Sequence, residues 1–290
     1  MTELVDFTSC SRVPGRAYNG ANGKKIAVNW RGACWILKFP PSAADRPNDL
    51  SYSNSCFSEH IASTVFGMLG IPAQETRLGT FANGREHVVC ACRDFTDADR
   101  ALHDFCSIKN TVLESESNGT GTELSSVLET IDRQDFVDPV VLRRFFWDMF
   151  VADAFLGNFD RHNGNWGFLV SRSTGRAEIA PVFDCGSCLL PQADERIMRR
   201  VLEDEAELDA RILTFPSSML KTGGEKINYA RILSAPPLDL RAAMDRILPR
   251  IDLAAINDFI GEVPYASELQ RQFYVRYLAA RYERLFRGKI

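Results

Sequence analysis

The sequence predicts a two-lobed α+β fold, with a small β-rich lobe over residues 1–92 and a larger helical lobe over residues 93–290. Two observations predict it. Short apolar runs separated by turn residues fill the first third of the chain, and apolar residues at helical spacing fill the later part. Strands followed by helices segregate into separate layers of one α+β plan, and the cleft between the lobes is the natural place for a ligand.

Each element follows in order. Tyr18-Asn-Gly20-Ala-Asn22-Gly23-Lys24-Lys25 is a glycine-rich turn. Lys24–Trp30 and Ala33–Phe39 flank Arg31-Gly32 as a hairpin, and Pro40-Pro41 stops the second strand because proline cannot donate to a ladder. Phe57, Ile61, Val65 and Leu69 repeat every four residues, a helix over 55–69 closed by Gly70-Ile-Pro72. Residues 74–81 and 87–92 read as strands around the turn Ala82-Asn-Gly84. The polar tract 114–122 cannot pack a core and reads as a mobile loop. Residues 139–156 carry a helix with an apolar face of Phe146, Phe150, Ala154 and Phe155. A short strand pair is expected at 166–170 and 177–180, and helices at 193–213, 225–233, 238–248, 253–260 and 265–286.

The chemistry concentrates in Gly157-Asn-Phe-Asp160-Arg-His162-Asn-Gly-Asn165, a polar loop between a strong helix and a strand. Asn, Gly and Asp are turn formers in any case. The second element, Val182-Phe-Asp184-Cys-Gly186, decides against a mere solvated turn. Phosphoryl transfer needs a positioned hydroxyl and Mg²⁺ at the phosphates. Asp160 can orient the hydroxyl and take its proton, while the Asn165 amide and the Asp184 carboxylate are hard-oxygen ligands for the metal.

These residues carry a resemblance. Asp-Arg-His-Asn-Gly-Asn followed by Phe-Asp-x-Gly looks like the catalytic and metal loops of the phosphoinositide-kinase-like superfamily. Gly-Asn-x-Asp-x-His-x-x-Asn with Pro-x-Phe-Asp is closer to the HipA-like serine/threonine protein kinases of bacteria, and the small size is most similar to their compact CtkA-type members. The resemblance covers most of residues 18–190. It implies a protein-kinase-like fold, ATP and Mg²⁺ as cofactors, and a protein substrate. Asp160 would be catalytic with His162 supporting the loop, and Asn165 and Asp184 would hold the metal. It also assigns a phosphate-contacting lysine and its helix glutamate to Lys38 and Glu59. Lys38 lies on an apolar strand where an unpaired charge is costly.

Gly20, Asn22, Gly23 and Lys24 would cradle phosphates with backbone N–H groups. Cys90 and Cys92 would belong to the interlobe hinge facing adenine. Some HipA-like kinases autophosphorylate a serine in the glycine-rich loop, but no Ser or Thr lies between Tyr18 and Lys25 here. The resemblance further implies an antitoxin or other regulatory partner. The chain begins too close to its glycine-rich loop to hold the extra N-terminal subdomain of full-length members. Two other readings stay open: a lipid or small-molecule kinase with the same ATP site, and a pseudokinase that binds without turnover.

Composition sets the outer bounds. Hydrophobic residues make up 45% of 290 and charged residues 25%, an ordinary globular balance. A net charge of −4 argues against direct nucleic-acid binding. No apolar run reaches the roughly 18 residues of a membrane span, and the N-terminus lacks a basic-then-apolar leader. The 8 cysteines are scattered, which fits a reducing cytoplasm. Cys185-Gly-Ser-Cys188 has redox spacing but overlaps the Asp184 element, which explains its place better.

Overall fold

The structure, a computed structural model, describes residues 4–14, 25–40, 52–113 and 118–288. Gly20, Asn22, Gly23 and Lys24 therefore lie outside the described residues. The N-terminal part is built on a six-stranded sheet in the order β1-β5-β6-β4-β3-β2. Its strands are β1 (Val5–Asp6), β2 (Ser11–Arg12), β3 (Lys25–Trp30), β4 (Ala33–Lys38), β5 (Thr76–Asn83) and β6 (Arg85–Arg93). Only β1 joins in parallel, beside β5. Arg31 and Gly32 at the β3–β4 turn have φ of 51° and 75°. Both central residues are thus left-handed, the geometry that matches the twist of a two-residue hairpin.

Period-2 alternation gives the sheet two distinct faces. Trp35, Leu37, Val89 and Ala91 turn to one side and pack with Phe7, Val28 and Phe81. Cys90, Cys92 and Leu78 turn to the other, against helix α1 (Ser55–Met68). Lys38 is the register partner of Cys90 and shares that second side. The core under α1 continues without a break into the helical part.

Beyond the sheet come β7 (Arg100–Asp104), α2 (Phe105–Leu113), α3 (Leu124–Arg133) and α4 (Pro139–Leu156). Helix α4 has strong local signals. The Asp138 carboxylate accepts from the backbone N–H of Val140 and Val141, Pro139 opens the first turn, and Gly157 closes the helix at φ 68°. Strands β8 (Gly167–Ser171) and β9 (Ala177–Ile179) form a three-stranded sheet with β7, in the order β7-β8-β9. Then follow α5 (Glu195–Glu203), α6 (Glu205–Asp209), the hairpin β10 (Ser217–Thr222) and β11 (Glu225–Asn228), α7 (Tyr229–Ser234), α8 (Leu238–Ile247), α9 (Leu253–Gly261) and α10 (Glu268–Leu285).

Three expectations need correction. The helix foreseen over 193–213 breaks at Asp204, whose carboxylate caps a new helix by accepting from the N–H of Ala206 and Glu207. The stretch 225–233 begins as a strand rather than a helix, because Gly223 and Gly224 at positive φ fold it back on β10. The tract 114–122 is not loose where it is described. The Asn163 amide donates to the carbonyls of Gly119 (2.7 Å) and Gly121 (2.9 Å). A Cβ at Gly119 would stand 1.9 Å from the Cys106 carbonyl oxygen, so the chain passes there at backbone contact distance.

Candidate active site

Strand β4 ends with Lys38 in the interlobe cleft. Helix α1 brings Glu59 to it, and the turn after Phe183 brings Asp184. Lys38 Nζ donates to Glu59 Oε2 at 2.9 Å and to Asp184 Oδ1 at 2.8 Å. Burial works to lower the Lys38 pKa, but the two carboxylates outweigh it and hold the ammonium well above its ordinary value. Lys38 in turn depresses Asp184 to about 2. The second Glu59 oxygen accepts from the backbone N–H of Cys185 at 3.1 Å, so one carboxylate fixes both the lysine and the Asp184 turn.

Asp184 sits at φ 57°. Asp and Asn tolerate that region better than other residues with a Cβ. At Gly186 close approach, not backbone conformation, is what favours glycine. A Cβ there would lie 3.2 Å from Glu59 Oε2. Lys25, Lys38, Phe39, Tyr52, Ser55, Cys56, Glu59, Asp160, Asp184, Gly186 and Ser187 line the cleft. Lys25 takes the place nearest the undescribed glycine-rich segment, and its charge helps to lower the Asp184 pKa.

The catalytic-loop candidates meet Asp184 across this cleft. Burial raises the Asp160 pKa above the usual carboxylate value, Asp184 adds to the rise, and His162, Lys226 and Arg161 oppose it. His162 Nδ1 accepts from the Gly164 N–H at 3.0 Å and caps the short turn Asn163–Asn165. His162 thus holds the turn that carries Asn165. The Asn165 Nδ2 donates to the Asp160 carbonyl at 2.9 Å.

Sequence reasoning missed the node beneath the loop. Asp153, on α4, accepts from Asn158 Nδ2 at 2.7 Å and from Arg161 Nε at 3.0 Å. Arg161 also donates to the carbonyls of Asn165 (2.9 Å) and Phe183 (2.5 Å) and to the Cys185 sulfur (3.4 Å). The two side chains of this pair are 2% and 6% exposed. One buried guanidinium therefore ties α4, the catalytic loop and the Asp184 turn together. The available signal was a lone charge in the apolar run Val151-Ala-Asp153-Ala-Phe.

Cys90 and Cys92, expected at the hinge, lie inside β6, which runs on to Arg93, and neither side chain is exposed. Burial holds the Cys90 thiol well above its ordinary pKa, so it is a neutral core group. The connection between the sheet and the rest of the chain starts at Asp94.

A cleft joining a strand lysine, a helix glutamate and two loop aspartates defines a protein of the kinase class. The HipA-like C-terminal domain family matches residues 17–246, and the chain belongs to that family. Over 271 residues it is 47% identical to the serine/threonine-protein kinase CtkA of Helicobacter pylori strain J99, covering 93% of this chain and 82% of that one. The crystal structure of the H. pylori proinflammatory kinase CtkA superposes with a TM-score of 0.91 at 45% identity, covering 98% of this chain and 95% of that one. HipA of Shewanella oneidensis MR-1, solved in a HipA–HipB–operator DNA complex, superposes with a TM-score of 0.57 at 18% identity over 97% and 73% of the two chains, a likeness of fold. No helix among the described residues is long and apolar enough to cross a membrane.

Proposed function

We propose that the chain is an ATP-dependent serine/threonine protein kinase that transfers the γ-phosphate of ATP to a protein hydroxyl. The observation that carries this is the convergence of Lys38, Glu59, Asp160 and Asp184 on one cleft. Lys38, oriented by Glu59, holds the α- and β-phosphates. Asn165 and Asp184 are the residues that would hold Mg²⁺, and the bound ion would supply neutralisation of charge on the transferring phosphoryl group. Asp160 aligns the acceptor hydroxyl and takes its proton. Burial raises its pKa, which makes it a stronger base than a solvated aspartate, as such a task needs. His162 and Arg161 act through the loop, keeping Asn165 and Asp160 in place.

The test is incubation of the purified chain with γ-labelled ATP and Mg²⁺, alone and with protein acceptors, beside Asp160→Ala. Label in protein that falls by about 10²–10⁴-fold in the variant is the expected result. Asp160-dependent ATP turnover without protein label would redirect the reading to a lipid or small-molecule acceptor. Nucleotide binding with no turnover would leave a pseudokinase.

A further inference from the structure

Three aromatic side chains lead away from the cleft. Tyr52 lines it together with Asp160. Its ring packs on Phe159 at 6.2 Å between centroids, and Phe159 packs on Phe215 at 5.4 Å. The far end is open, with Phe215 40% exposed and Leu213 41% exposed. Exposed apolar side chains contiguous with a functional cleft mark an interaction surface rather than ordinary scatter.

Position decides what fits there. Phe159 directly precedes Asp160, so their Cα atoms are about 3.8 Å apart. A peptide in extended form advances about 3.3 Å per residue. When its hydroxyl reaches Asp160, the immediate neighbours point to the opposite face, and the side chain two positions away, on the same face and roughly 7 Å along, falls within reach of the Phe159–Phe215 surface.

Resting on the kinase reading above, we propose that Phe159 and Phe215 form an acceptor-specificity surface that selects a serine or threonine with a bulky apolar residue two positions away. The apolar side chain leaves water as the hydroxyl arrives at Asp160, so the selection acts on productive binding. Lys226, from β11, adds positive charge on the Asp160 side of this surface. An acidic residue in the same peptide is a further favourable feature, but the apolar contact is the determinant.

The experiment scans peptides with a central serine and each residue in turn at the positions two residues to either side, using the full chain. Leucine, isoleucine or phenylalanine at one of these positions is expected to raise kcat/KM about tenfold over alanine. In Phe215→Ala this preference collapses to within about twofold, and in Phe215→Leu much of it returns. Equal rates for leucine and alanine peptides in the wild type would overturn the proposal, as would a preference that survives Phe215→Ala. Asp160-dependent ATP turnover with no peptide labelled would overturn it too, while sparing the phosphotransfer chemistry. Loss of all Asp160-dependent turnover would instead count against the kinase reading itself.

Discussion

Single residues in the cleft carry opposing demands. Asp184 adopts a left-handed backbone that asparagine shares readily, so Asp184→Asn separates charge from conformation. The asparagine variant is expected to keep its melting temperature within a few degrees yet lose Mg²⁺-dependent turnover; phosphate release from ATP followed across a Mg²⁺ titration checks the second part. The pair also sets a pH window. Because Lys38 depresses Asp184 to about 2, its contribution to stability is fully present above pH 4 and disappears as the pH falls toward 2. Asp160 is shifted the other way. Activity that needs its carboxylate falls on acidification through a pKa above the ordinary Asp value. Lys226→Met removes a charge that lowers this pKa, so the acidic limb of the kcat/KM profile moves to higher pH. A limb that stays still or moves lower contradicts the placement of that lysine. At Gly186, a methyl group would press on Glu59 Oε2, and Gly186→Ala is expected to raise KM for ATP several-fold as Glu59 shifts off Lys38.

Elements hold the loops through a few buried polar contacts. Asp153→Ala leaves the Arg161 guanidinium buried without its carboxylate, which costs about 3–5 kcal/mol. Denaturant unfolding should show that loss together with a collapse of turnover. From behind, Arg281 of α10 donates to the last-turn carbonyls of α4, with Nε 3.0 Å from the Ala154 oxygen and 3.1 Å from that of Phe155. Helix α4 and the β3–β4 hairpin were legible because their signals are local: the apolar face of Phe146, Phe150, Ala154 and Phe155 in one case, Arg31-Gly32 between two apolar runs in the other. The β10–β11 hairpin announced itself with Gly223-Gly224, but the apolar spacing after it suggested a helix. Arg161 and Arg281 were not legible at all. Their partners are 8 and about 127 positions away in sequence, and only the packed fold brings them near.

At the scale of the molecule, α1 belongs to both halves. Its first turn is tied down by Asn54, whose Nδ2 donates to the Ala193 carbonyl at 2.6 Å and whose Oδ1 accepts from Gln270 at 2.9 Å. Its last turn is held by Arg250, which donates to the Leu69 carbonyl at 3.0 Å. Glu59 is thus positioned by contacts from the helical part as much as by the sheet it faces. Along the chain α1 falls within the 1–92 lobe, while the core it covers is shared with the helical part. Amide exchange in α1 is expected to be as slow as in α4, one cooperative unit. Much faster exchange in α1 than in α4 would show instead that the helix opens separately.

The Arg281 contact has a temporal side. The residues that line the cleft all lie before residue 190, but the guanidinium that closes the end of α4 lies on α10. During synthesis the cleft residues leave the ribosome first, and the loop after α4 gains its rear support only when α10 has emerged and docked. A polypeptide that stops short of α10 is expected to carry every one of those residues and to label protein poorly, because the end of α4 lacks its buried cation. Emergence of α10 from the ribosome, rather than of the cleft residues, then sets when the loop is held.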